Sequence, residues 1–184
     1  MADVSVRPAR PEDAAEIGRI QIETWQVAYT EILPEPIRES LTIDAAVAAW
    51  TAAITTPPSP RHHVLVALEQ EWSVGFVALA PSEDEDALRH GGDAPIQGAS
   101  TVEIATMLVE PRWGRRGHGS RLLAAAIDHA RGDGMTTAIA WIPEQDEASR
   151  AFLSSAGWAP DGMVRALDTG AGELREIRLH VEIG

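Results

Sequence analysis

Apolar residues recur along this chain with two periods, and the changes between them mark out its elements. Val4 and Val6 alternate with polar neighbours as a short strand. Pro11-Glu-Asp then opens a helix, because proline is tolerated in a first turn and two acids face the positive end of the helix dipole. Ile17, Ile20 and Trp25 fall on or near one face of that helix, which the pattern ends around Tyr29. Pro34 and Pro36 break the chain before more helical material, Ile43 to Ile54, rich in alanine around Trp50 and stopped by Pro57-Pro58-Ser59-Pro60. His63–Leu68 and Trp72–Leu79 alternate on either side of a tight polar turn and predict a hairpin.

Residues 82–99 follow as a long acidic, glycine-containing loop, including Glu83 to Asp86, before a strand from Thr101 to Val109. Leu122, Leu123, Ala126, Ile127 and Ala130 then return at helical spacing, up to a stop at Gly132-Asp133-Gly134. A strand over Thr136–Ile142 and a helix from about Asp146 to Ser155, capped by Gly157, come next. Two strands, around Met163–Leu167 and Glu173–Val181, finish the chain. The order is strand, two helices, three strands, helix, strand, helix, two strands, an α/β arrangement.

Composition narrows the class. A chain of 184 residues, 45% hydrophobic and without a long apolar span, fits a single domain over 1–184. It has no cysteine, and its first residues lack the cationic and apolar stretches of a signal peptide, so a cytoplasmic location is expected. A net charge of −13 argues against nucleic-acid and membrane partners. His62, His63, His90, His129 and His180 show no metal-ligand spacing, so no metal is expected. The six tryptophans read as core and sheet packing, with Trp25 and Trp72 also in reach of a substrate. The lack of lysine and the abundance of alanine look like a bacterial coding bias.

Against that acidic background, Arg112, Arg115, Arg116 and Arg121, four of fifteen cationic residues, fall within ten positions. They surround Gly114, Gly117 and Gly119, between an apolar strand ending before Pro111 and the helix that follows. Unpaired amides and the positive helix end meet there, so the turn predicts an anion cradle for phosphate. A nucleotide P-loop is excluded because it needs a lysine. A dinucleotide fingerprint is opposed by Leu122 at the third glycine of Gly117-His118-Gly119-Ser120-Arg121-Leu122.

The segment Val109-Glu-Pro-Arg-Trp-Gly-Arg-Arg-Gly-His-Gly-Ser120 instead resembles the acyl-CoA diphosphate loop of the GNAT superfamily of N-acetyltransferases, with Gly114 where the family usually has Gln or Arg. Asp146-Glu-Ala-Ser-Arg-Ala-Phe-Leu-Ser-Ser-Ala-Gly-Trp158 is similar to a second GNAT segment, with Leu153 at its usual tyrosine. Trp25-Gln-Val-Ala-Tyr29 followed by Ile32-Leu-Pro34 looks like the first-helix signature of small bacterial members. The resemblance covers nearly the whole chain. It implies a mixed, mostly antiparallel central sheet flanked by helices, with the acyl-CoA cradle after the fourth strand.

It also implies an activity: acetyl transfer from acetyl-CoA to a primary amine of a small-molecule or peptide acceptor, by direct attack in a ternary complex. The alternative is a non-catalytic acyl-CoA-binding sensor. Carried over to this chain, the coenzyme would be held by Met107, Leu108, Val109, Arg115, Arg116, Gly117, His118, Gly119, Ser120 and Asp146, with His118 contributing its backbone N–H rather than its ring. Glu103 is the expected base, and Tyr29 stands in for the missing acid or lines the acceptor pocket. Simple alternation places Glu103, Ala105, Met107 and Val109 on one face of the strand unless a bulge intervenes, and the resemblance implies a bulge. A homodimer is a further implication of the resemblance.

Overall fold

The computed structural model describes residues 4–28, 35–83, 101–169 and 172–184. Strand β1 (Val4–Pro8) leads through a 3-10 turn (Pro11–Asp13) into α1 (Ala14–Ala28), followed by α2 (Glu35–Ser40) and α3 (Ile43–Thr55). The hairpin β2 (His63–Glu69) and β3 (Trp72–Pro81) precedes β4 (Thr101–Val109), a 3-10 turn (Pro111–Trp113) and α4 (His118–Gly132). The chain ends with β5 (Thr137–Pro143), α5 (Glu147–Ser155), β6 (Ala159–Asp168) and β7 (Glu173–Glu182).

Local chemistry sets the helix starts. Asp13 accepts the Arg10 amide at 2.6 Å and pairs with Arg7 at 2.7 Å, closing the turn that launches α1. Burial alone would raise the Asp13 pKa, but Arg7 and the Arg10 amide hold it below the ordinary carboxylate value. Thr42 caps α3 by accepting from the Ala45 amide.

The strands form one sheet in the order β1-β2-β3-β4-β5-β7-β6, antiparallel at every seam except β4–β5. One face carries the larger core: Leu65, Val77, Leu79, Val102, Ile104, Ala138 and Leu179 pack under Leu122, Leu123, Ala126 and Ala130 of α4 and Leu153 of α5. On the other face Val66, Phe76 and Leu108 meet Ile17 and Ile20 of α1, with Trp50 of α3 edge-on to Phe76 at 4.9 Å. Full burial of each such side chain contributes about 1.5–3 kcal/mol. Helices α1 and α3 approach so closely at Gly18 that a Cβ there would lie 2.8 Å from Val47.

Two expectations change and a third is located. The helical material after Pro34 is two helices, α2 and α3, because Leu41-Thr42 interrupts it, with Thr42 as the cap of the second. Trp72 is not packing in the core but 61% exposed, at the hairpin turn, whereas Trp158 is buried. The bulge that the resemblance implies in β4 lies at Ala105, which has no partner in β3 because Ala78 pairs with Thr106 and Leu79 with Ile104. The bulge therefore puts Val102, Ile104, Met107 and Val109 on the α4 face and Leu108 on the α1 face, so Glu103 does not share a face with Met107 and Val109.

Candidate active site

The seam between β4 and β5 is paired over only three positions, Thr101 to Glu103 against Thr137 to Ile139. Beyond them the strands part, with the Ala105 bulge just past the fork. The opening is a hollow of about 250 Å³ walled by β4 from Ile104 to Leu108, β5 from Ala140 to Pro143, Ser149, Phe152 and Leu153 of α5, Trp25 of α1, and Leu174 and Glu176 of β7. A second hollow, of about 650 Å³, lies against the turn before α4 and shares Met107, Ser149 and Phe152 with the first. They adjoin at these residues, and together trace a path from the helix N-terminus to the parted sheet.

The turn is built as a donor cradle. Gly117 takes a left-handed conformation, φ 82°, and Arg115 does so as well at 61°, which turns the chain sharply before the first helical residue. The first intrahelical bond runs from the Arg121 amide to the Gly117 carbonyl at 3.1 Å. The amides of His118, Gly119 and Ser120 thus precede the first intrahelical donor, at the positive end of α4.

The structure brings most of the expected residues to this path. Met107 walls both hollows, Leu108 the inner one, and Val109, Arg115, Gly117, His118, Gly119 and Ser120 the outer one. Others are placed differently. The Arg116 guanidinium turns to Glu69, at 2.9 Å, and lies 5.0 Å from the Trp113 ring centre. Arg112 pairs with Glu110 at 2.7 Å, and Arg121 donates to the Arg116 carbonyl at 3.0 Å. Of the four clustered arginines only Arg115 walls the hollow, so the cradle is built more from backbone than from side-chain charge.

Asp146 is the N-cap of α5, accepting the Ser149 amide at 2.9 Å and its hydroxyl at 2.7 Å. Glu103 sits where the β4–β5 pairing ends, opposite Ile139 and Ala80, half-buried and outside the wall of the hollow. Leu153 is buried against the inner hollow. Tyr29 and most of the acidic loop, residues 84–99, lie outside the described residues. The described residues contain no group of three or more potential metal ligands, and no helix among them is long and apolar enough to cross a membrane.

Several residues had no sequence signal. Glu110, 7% exposed, receives Arg19 of α1 at 3.2 Å besides Arg112. Burial would raise its pKa, but Arg19 and then Arg112 hold it below the ordinary value. Trp141 is flanked by Arg165 at 4.5 Å and Arg178 at 5.6 Å, while Arg165 binds Glu176 and Arg178 binds Asp161, each at 2.6 Å. The His118 ring, expected to be incidental, is 1% exposed and hydrogen-bonded to Glu69 at 2.8 Å. Apart from Glu110–Arg112, these hydrogen-bonded pairs join residues 11 to 91 positions apart, which periodicity does not link.

Comparison with known proteins agrees with this geometry. Residues 19–158 match the model of the acetyltransferase (GNAT) family. The L-amino acid N-acyltransferase MnaT of Escherichia coli is 30% identical over 95% of this chain and 90% of its own length. The uncharacterised N-acetyltransferase YuaI of Bacillus subtilis is 28% identical over 78% of this chain and 73% of its own. Among solved structures, an N-acetyltransferase from Staphylococcus aureus superposes with a TM-score of 0.73 at 19% identity, covering 100% of both chains. The yncA protein of Salmonella typhimurium, solved with acetyl-CoA, gives 0.69 at 22% identity over 98% of this chain and 94% of its own. The chain belongs to the GNAT acetyltransferase family, and its chemistry is acetyl-CoA-dependent acyl transfer.

Proposed function

We propose that this protein acetylates a primary amine by direct attack on acetyl-CoA within a ternary complex, across the fork between β4 and β5. The observation that carries this reading is the adjacency of the two hollows, which share Met107, Ser149 and Phe152: a donor-rich helix N-terminus lies beside an apolar cleft in the sheet. The coenzyme supplies an activated acetyl thioester. His118, Gly119 and Ser120 receive its diphosphate through their amides, and the separated edge of β4 at Met107, Leu108 and Val109 aligns the pantetheine and polarises the thioester carbonyl. Gly114 costs little as a departure from the family pattern, because amides do most of the holding.

Deprotonation is the more demanding step. Freeing a lysine-like amine at neutral pH costs roughly 4–5 kcal/mol, against about 2 kcal/mol for a thiol of CoA type. Glu103 is the base in this reading. Its support is its place at the fork, on the face opposite Val102 and Ile104, which lie against α4. Leu153 stands where the family usually has a tyrosine, so thiolate release relies on Tyr29, Ser154 or solvent. Trp25, Trp141 and Glu176 wall the cleft from α1, β5 and β7, and form the acceptor side.

The name of the Escherichia coli relative makes the α-amino group of L-amino acids the first acceptor class to test. The experiment is a panel of L-amino acids, polyamines, aminoglycosides and peptides with acetyl-CoA, read as free thiol and confirmed by product mass. Saturable acetylation of an amine is the expected result. Turnover exclusively on hydroxyl or thiol acceptors would overturn the proposal.

A further inference from the structure

The residues on either side of Gly117 converge on one carboxylate. Arg116 donates through Nη1 to Glu69 Oε1 at 2.9 Å, and His118 donates through Nε2 to Glu69 Oε2 at 2.8 Å. Glu69 is the last residue of β2, paired with Val4 on one side and Trp72 on the other, so it is anchored in the sheet. Its side chain is 13% exposed and that of His118 1%. A carboxylate only accepts, so Nε2 carries the imidazole proton, and the ring stands edge-on to Trp113 with centres 6.5 Å apart. The segment thus held, from Arg116 to His118, contains the left-handed Gly117 and directly follows the left-handed Arg115, a conformation that a side chain bearing a Cβ resists.

An acid beside an anion cradle is unfavourable on charge alone: Glu69 repels a diphosphate and occupies one of the clustered arginines. Its geometric effect is the opposite. Two bonds to two oxygens of one rigidly placed group fix both flanks of Gly117, and so fix the direction in which the His118, Gly119 and Ser120 amides point. Ordering those donors before ligand arrives lowers the entropy lost on binding.

We infer that Glu69 and the His118 ring are positioning residues, a clip that pre-orders the α4 N-terminal amides for the coenzyme diphosphate. The inference rests on the placement of that diphosphate given above. Neither residue needs to touch the reacting atoms.

Charge and position predict opposite signs for Glu69→Gln. The variant removes a negative charge near the cradle but leaves a single carbonyl oxygen to serve two donors. Calorimetric titration with CoA is expected to show roughly tenfold weaker binding for Glu69→Gln and for His118→Leu, as befits loss of a charge-assisted hydrogen bond. His118→Gln, whose amide N–H reaches the place of Nε2, is expected to stay within about threefold of the parent. Pantetheine, which lacks the diphosphate, titrated at millimolar concentration and followed by protein NMR, is expected to bind all four proteins alike. Unchanged or tighter CoA binding by Glu69→Gln overturns the clip, as does an equal loss of pantetheine binding, which reports general loosening. If the parent protein binds pantetheine as tightly as CoA, the placement of the diphosphate fails first and the clip falls with it.

Discussion

The two edges of β4 have opposite fates. Toward β3 the strand is paired from Val102 to Val109, broken only at Ala105. Toward β5 the ladder stops after Glu103. A strand bonded on both edges has no room for a ligand, whereas a strand bonded on one edge stays in place and keeps the other available. The closed seam supplies rigidity to the open one, and the bulge lies where the change occurs. The side chains divide between the two sheet faces: Leu108 packs against α1 and Phe76 and walls only the inner hollow, while its neighbour Met107, on the α4 face, walls both.

Deleting Ala105 attacks the contrast most directly. Without the extra residue, either Val102 and Ile104 or Met107 and Val109 must leave the α4 face, at a cost of several kcal/mol. The expected outcome is loss of the cooperative unfolding transition in a thermal melt. A folded, active deletion variant would show that the bulge does not set the faces of β4. Glu103→Gln tests the chemistry at the fork. Turnover is expected to fall about 10²–10⁴-fold with the KM for acetyl-CoA little changed, and with the acidic limb of the pH–rate profile, where a general base gains its proton, altered. An unchanged profile removes Glu103 from the mechanism.

Gly75→Ala probes the closed seam alone. Its Cβ would stand 2.6 Å from the Leu108 carbonyl oxygen and 3.1 Å from Val109 Cα, both backbone atoms of a strand with little freedom to shift. A loss of about 1–3 kcal/mol in denaturant unfolding is expected. A stability unchanged within error would mean that β3 and β4 separate easily, and that the closed seam is not the rigid partner.

Glu110→Gln has the smallest expected effect. Because Arg19 and Arg112 lower the folded-state pKa of Glu110, its ionised form stabilises the fold above the unfolded value near 4.5, and this contribution is lost as pH falls through the lower folded-state value. The variant is expected to be less stable than the parent by about 1 kcal/mol at neutral pH, with the difference shrinking below pH ~4. A constant difference across that window, in pH-dependent chemical unfolding, would assign the loss to packing rather than to the ion pairs.

Much was legible in the residue order because it depends on local rules. Alternation marked the hairpin, proline and glycine marked helix ends, and three glycines among arginines marked a donor-rich turn at Gly117. The family followed from motifs in the right order, and it carried the class of chemistry with it. What lay beyond reach was the partner of each charged group. Arg116 meets Glu69, 47 positions earlier, and Asp146 holds its own helix through Ser149, neither of which the residue order announces.

Sequence by itself therefore determined most of the elements, their order and the glycine-punctuated turn before α4, since each arises from conformational preferences spanning a few residues. Tertiary structure decided which face Glu103 occupies, how far β4 and β5 remain together, and which arginines are already engaged. Those outcomes depend on strand register and on contacts between distant segments, which exist only once the chain has closed on itself.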